Sequence, residues 1–331
     1  MSNLSISTGK SKTIGTAGAQ RGLRFHHWCQ YVLLHIVGTL VRWMPLPVGR
    51  SLGRFLGGVL HFFDRRHRRI ILLNMDRVFG ERKSESEKRT LCRAMYRFLG
   101  EMAIEILKSH QITHERLADW VVFENTGVID RALAEGRGVL LCTAHLGNWE
   151  LMNTALSLEG HSLDCLARPM DNPLIHRYLE KRRTRNGTNI IYKYGGALKM
   201  LGQLRKNRIV AMVIDQNVNH GSRIMVDFFG EPASSTPLPA TLAIESGAPI
   251  IVGFCVPRED GRYHIAFQEP IFASGSASNG EDVIRVTREI HRRLEAQIEA
   301  TPACWYWLNR RFKNDAEGIT DFYQRERAIG F

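Results

Sequence analysis

The fold turns on residues 138–151, GVLLCTAHLGNWEL. The run from Val139 to Thr143 is uninterrupted apolar β-type sequence, the pattern of a strand buried on both faces. It runs straight into His145, and after Gly147 and Asn148 a helical pattern takes over to Leu158. Strand, short loop and helix start, in that order, is the repeating unit of an α/β layer, in which reactive groups gather just beyond the carboxyl ends of strands.

Working outward, the same rhythm continues. Short β runs are expected at residues 121–123, 139–143, 163–167, 209–214, 249–256 and 263–267. Helical stretches are expected between them at 126–135, 148–158, 173–185, 195–206 and 238–246, with a final helix at 281–300 ahead of the aromatic-basic stretch WYWLNRRFK. Strands alternating with helices imply a mixed, largely parallel sheet flanked by helices. Upstream, from Arg65 to about His110, apolar residues recur at helical spacing (Ile71, Met75, Val78, Phe79, then Leu91, Met95, Phe98, Met102, Ile106), broken by the polar GERKSESEK.

The N-terminus reads differently. Residues 1–24 form a Ser/Gly/Thr/Lys-rich tail too poor in apolar residues to order itself. Residues 28–41, WCQYVLLHIVGTLV, are the most hydrophobic window, flanked by Arg21, Arg24 and Arg42, with Trp28 and Trp43 at the positions interfacial anchoring favours. The run is shorter than the roughly 20 apolar residues of a simple span and contains Gln30 and His35. A tilted span, an in-plane anchor and a buried core helix all fit; a cleaved signal peptide fits less well, because no small-x-small site follows. A second, glycine-interrupted apolar segment at 51–63 ends in DRRHRR, a pairing suited to a membrane surface. The simplest organisation is a tail (1–24), anchoring helices (25–63), a catalytic domain (64–315) and a C-terminal tail (316–331).

Composition narrows the partners. Hydrophobic residues make up 44% of the chain and charged residues 24%, an ordinary globular balance, but 45 Lys and Arg against 33 Asp and Glu leave a formal charge of +12. Such a surplus draws nucleic acid, anionic lipid or an acidic protein. No RRM, zinc-finger or helix-turn-helix signature supports nucleic acid. The 6 cysteines form no CxxC pair and sit mostly in apolar runs, which reads as reduced, buried thiols.

The chemical candidates begin with His145 and Glu150. On one continuous helix, five residues turn about 500°, leaving the side chains about 140° apart. They can meet if His145 is in the loop and the helix begins near Gly147 or Asn148. Glu150 would then occupy the helix's first turn, where a carboxylate is favoured. There it could accept from one ring nitrogen of His145 and free the other as a base. A strand-end histidine that merely caps a helix fits the same residues. HExxH is absent and no further His or Cys lies at ligand spacing, which argues against a metal.

Three more groups fall beyond strand ends. Arg168 follows LDCLA, Asp215 follows IVAMVI, and Arg182, Arg183 and Arg185 close the helix after Arg168. An arginine so placed suits phosphate or carboxylate; a structural salt bridge, a solvated helix face and, for Asp215, a turn former are the plainer readings.

Taken together these residues resemble the bacterial lipid A biosynthesis (lauroyl/myristoyl-type) acyltransferases, relatives of the glycerol-phosphate acyltransferases. RRHRRIILLNMDRVFG, LGEMAIE, AHLGNWE, ARPMDNP, RTRNG, DQNVNHG, VDFFGEPASSTPLPATLAIESGAPIIVGF and WLNRRFK occur in order along most of the chain. The resemblance implies an H-x4-D/E acyltransferase without a cofactor, of glycerol-phosphate-acyltransferase-like fold. It would take acyl chains from acyl carrier protein and esterify an anionic, phosphorylated, sugar-linked lipid at the cytoplasmic face of the inner membrane. Carried over by residue, His145 is the general base and Glu150 its orienting carboxylate. Arg168, Arg182, Asp215 and Asn148 are substrate-site residues, and Gly247 with Pro249 forms a turn shaping the acyl pocket. Asn309 departs from the family, which more usually has His there. Other lipid acceptors (a lysophospholipid, a mannolipid, an amino-acid lipid) fit the motif, as does, outside enzymes, a basic membrane-tethered nucleic-acid binder.

Overall fold

The computed structural model describes residues 24–192, 195–219, 221–313 and Tyr323. The tails expected at 1–24 and 316–331 therefore lie outside the described residues, Arg24 and Tyr323 apart.

The strands are β1 (Val121–Glu124), β2 (Val139–Thr143), β3 (Leu163–Ala167), β4 (Asn189–Tyr192), β5 (Ile209–Val213), β6 (Ile224–Phe228), β7 (Glu231–Ser235), β8 (Ile250–Pro257) and β9 (Tyr263–Phe267). Seven of them form one sheet in the order β1-β9-β8-β2-β5-β3-β4. The run from β8 to β4 is parallel, while β9 pairs antiparallel with β8 and carries β1 alongside it. The carboxyl ends of β2, β3 and β5 thus open on one edge. All of β2 is buried, because Leu140 and Cys142 pack into the core on one face and Val139 and Leu141 into that on the other. This two-sided burial is why its sequence shows no polar alternation.

Helices α5 (Gly127–Ala134), α6 (Trp149–Leu158), α7 (Pro173–Thr184), α8 (Gly196–Leu204), α9 (Leu238–Ser246) and α10 (Gly280–Ala300) flank the sheet within a residue or two of expectation. Two elements escaped the sequence reading. β4 is a four-residue edge strand, and β6–β7 is a separate antiparallel hairpin. The hairpin turns on Phe229 (φ 56°) and Gly230 (φ 76°), both left-handed as a two-residue type I′ loop requires.

Four helices precede the sheet: α1 (Phe25–Trp43), α2 (Leu46–Phe63), α3 (Arg65–Phe79) and α4 (Glu85–Lys108). A Ser84–Glu87 capping box starts α4, the longest helix. Gly49, Gly53 and Gly57 form a buried seam of α2 against α4; a methyl at Gly53 would stand 2.5 Å from the Gly100 carbonyl oxygen. The glycines that break α2's apolar pattern are therefore what lets two backbones touch. No helix among the described residues is long and apolar enough to cross a membrane. α1 and α2 nonetheless leave Trp28, Leu33, Leu40, Trp43, Phe55 and Phe63 exposed, Trp43 by 82% and Phe63 by 72%.

Candidate active site

β2 delivers His145 to the rim of the sheet, and three contacts fix the loop that holds it. Leu146 bridges to Trp305, the Tyr306 N–H donates to the His145 carbonyl (2.8 Å), and the Gly147 N–H donates to the Cys304 carbonyl (3.0 Å). Gly147 is left-handed (φ 63°) and packs directly on the Cys255 carbonyl, so no side chain fits there. Asn148 then caps α6, its Oδ1 accepting from the Leu151 N–H at 3.0 Å. Loop histidine and first-turn Glu150 are thus placed as the spacing requires.

Their expected hydrogen bond is not made. The Nδ1 of His145 lies 2.7 Å from Asp215 Oδ1, and its backbone N–H donates to Oδ2 at 3.0 Å. Trp305 Nε1–H donates to the same Oδ2 at 2.7 Å. Asp215 is fully buried, and burial pushes its pKa up. The adjacent imidazole, with the His145 and Trp305 hydrogen bonds, outweighs this and holds it below the usual carboxylate range. An ionised Asp215 makes Nδ1 the protonated nitrogen and leaves the Nε2 lone pair facing outward, where the Gln216 side-chain amide sits 3.3 Å away. For His145, burial lowers the pKa, but the charge and hydrogen bond of Asp215, then the charge of Glu150, raise it overall. Trp149 meets the imidazole edge-on, with ring centroids 4.9 Å apart.

Glu150 instead pairs with Arg183, which donates through Nε at 2.9 Å and through a second guanidinium nitrogen. That bidentate hold turns the carboxylate toward α7, so Glu150 reaches His145 through its charge and not through a hydrogen bond. The orienting carboxylate in this geometry is Asp215, seventy residues downstream of His145. Sequence shows only that Asp215 follows the IVAMVI strand; that this strand, β5, lies beside β2 is a property of the sheet order.

The other expected substrate residues divide. Arg168 is exposed beyond β3 and, among the described residues, makes no hydrogen bond or ion pair. Arg182 caps α4, donating to the carbonyls of Ile106 (2.7 Å) and Leu107 (2.9 Å) and to Ser109, with its guanidinium stacked on Tyr178. Those bonds commit it to helix docking. Asn148 is buried, with both ends of its amide occupied, and Asp215 is sealed beneath the imidazole, so neither presents a free polar group to a substrate. Gly247, the left-handed cap of α9, and Pro249 precede β8 at the amino-terminal edge of the parallel strands, the end of the sheet opposite His145. The turn therefore does not line this site. The backbone carbonyl of Asn309 accepts from Asn74 at 2.8 Å, while its side-chain Nδ2 is buried and has no partner among the described residues.

An imidazole held by a buried carboxylate at the carboxyl end of a parallel sheet is an arrangement chemically able to accept a proton from a hydroxyl. Comparison with known proteins agrees in class. Residues 19–314 match the family described as bacterial lipid A biosynthesis acyltransferase. The chain belongs to that family. It is 28% identical over 249 residues to the phosphatidylinositol mannoside acyltransferase of Mycobacterium tuberculosis, covering 73% of this chain and 76% of that one. It is 27% identical over 301 residues to the lipid A biosynthesis lauroyltransferase of Escherichia coli, covering 90% and 95%. The lipid A biosynthesis palmitoleoyltransferase of the same organism is 23% identical over 290 residues. The protein is an O-acyltransferase.

Proposed function

We propose that this acyltransferase moves a fatty acyl chain from acyl carrier protein to a hydroxyl of a lipid A precursor or similar phosphorylated glycolipid. The observation that carries the mechanism is the His145 Nδ1–Asp215 contact of 2.7 Å, which leaves Nε2 unprotonated and outward. The acceptor hydroxyl displaces the Gln216 amide and gives its proton to Nε2 as its oxygen attacks the thioester carbonyl. Collapse of the tetrahedral adduct breaks the carbon–sulfur bond, and the proton on Nε2 passes to the departing thiolate. Asp215 stabilises the transient imidazolium, and the charge of Glu150 adds to it. Arg168 offers an exposed guanidinium, without a partner among the described residues, to an anionic group of the acceptor.

Two observations support a glycolipid acceptor: the similarity to the lauroyltransferase over nearly the whole of both chains, and the comparable similarity to a mannoside acyltransferase. The exposed apolar faces of α1 and α2, with Arg65, Arg66, Arg93 and Arg97 nearby and exposed, support an in-plane seat on an anionic membrane surface, which we propose to be the cytoplasmic face of the inner membrane. The decisive experiment is mass spectrometry of lipids formed by purified protein from acyl-acyl carrier protein and candidate acceptors in anionic vesicles. An ester on a lipid A precursor supports the reading; an ester on a mannolipid or lysophospholipid alone would replace the acceptor. Failure of the protein to cosediment with those vesicles would remove the membrane seat.

A further inference from the structure

The proposed mechanism does not use Glu105, a buried acid of α4. Glu105, two per cent exposed, sits in the last turn of α4 and binds three elements at once. Its Oε1 accepts from Nε and Nη2 of Arg50 on α2, both at 2.8 Å. Its Oε2 accepts from Asn148 Nδ2 at 3.0 Å and from the Tyr263 hydroxyl at 2.7 Å, at the start of β9. Arg50 also donates to the Gly261 carbonyl, so α2 is bolted to the loop before β9 as well.

The orientation of Asn148 depends on this carboxylate. An amide has one acceptor and one donor end, and Glu105 takes the donor, which turns Oδ1 toward the Leu151 N–H and makes it the cap of α6. Without a fixed anion below it, the amide can turn over and release the cap. The first turn of α6 carries Trp149, packed edge-on to the His145 imidazole, and Glu150, whose charge acts on that imidazole. A buried ion pair is a weak source of stability, and here the second oxygen of Glu105 is spent entirely on Asn148 and β9.

We propose that Glu105 is a positioning residue for acyl transfer: by bridging Arg50 of α2 to Asn148, it holds the 145–150 loop in its reactive geometry and makes that geometry depend on how α2 is seated. The proposal rests on the reading of His145 as the reacting centre, and its test has one arm that needs no activity.

In full-length Glu105→Gln, the amide must turn its NH2 toward one of the existing donors, so the network cannot be satisfied. Turnover with acyl-acyl carrier protein and glycolipid should fall about 10- to 100-fold, the scale of a misplaced reacting group, with KM for both substrates within about twofold of wild type. Hydrogen exchange should quicken in peptides spanning 145–158 while β2 and β5 stay protected. Arg50→Lys, which keeps the charge but not the two-pronged contact, should show both effects in weaker form, and it serves if Glu105→Gln does not fold. A folded Glu105→Gln or Arg50→Lys with wild-type turnover and wild-type exchange at 145–158 overturns the proposal. If wild type shows no acyl transfer while exchange at 145–158 still quickens in the variants, the functional reading fails and the coupling stands.

Discussion

Asp215, at the end of β5, holds both the ring Nδ1 and the backbone N–H of His145, at the end of β2, through its two carboxylate oxygens at 2.7 and 3.0 Å. Adjacent parallel strands bring together residues that lie seventy apart in the chain. One carboxylate thereby holds the imidazole in place and favours the tautomer protonated at Nδ1.

Asp215→Asn removes the anion but keeps the shape. An amide can present its NH2 to Nδ1 and so stabilise the wrong tautomer. Turnover should fall about 10²- to 10⁴-fold, the usual worth of general-base catalysis. The pH profile carries a sign. In the proposed mechanism the reacting form has neutral His145, so kcat/KM should rise with pH through its pKa. Asp215 raises that pKa, so its loss should move the acid limb to lower pH at a lower plateau.

Glu150→Gln separates the two carboxylates. It spares the His145–Asp215 contact and removes only a neighbouring charge and the anion facing Arg183. Turnover should drop about tenfold, the worth of roughly 1.4 kcal/mol of lost charge interaction. A larger loss in Glu150→Gln than in Asp215→Asn, measured on the same donor and acceptor, would make Glu150 the orienting group.

Arg168→Ala tests substrate recognition at the end of β3. A charge-assisted contact to the acceptor is worth about 1.5 to 3 kcal/mol. KM for a phosphorylated acceptor should therefore rise at least tenfold with kcat nearly unchanged, and the same variant should lose little against an acceptor lacking phosphate. Equal KM values for the two acceptors in wild type would remove this role.

Gly53→Leu forces a side chain into the seam where α2 meets the Gly100 carbonyl. Overpacking of this kind costs about 1 to 3 kcal/mol. Thermal melting should show it, while Gly58→Leu, one residue past the seam where nothing lies within 4 Å, should melt close to wild type.

Local patterns made much of this legible. The apolar run of β2, the helical spacing of α3 and α4 and the strand–loop–helix change around His145 are short-range signals, and the elements appear where those signals lie. The partner of His145 was not legible, because five-residue spacing in HLGNWE suggests Glu150 whereas pairing is decided by strand order, a long-range property. The same holds for Arg182, whose donors are taken by the end of α4, and for Asn148, whose amide is divided between Glu105 of α4 and the first turn of α6. β4 was missed because four residues at a sheet edge carry little periodicity, and the hairpin because its signal is the Phe229–Gly230 turn and not hydrophobic alternation.

Whether His145 Nε2 takes the acceptor proton is decided by the turnover of purified His145→Ala with acyl-acyl carrier protein and lipid acceptor, beside wild type of equal melting temperature. The expected result is a loss of about 10²- to 10⁴-fold in kcat with acceptor binding retained. A folded His145→Ala that turns over within a few-fold of wild type would contradict it.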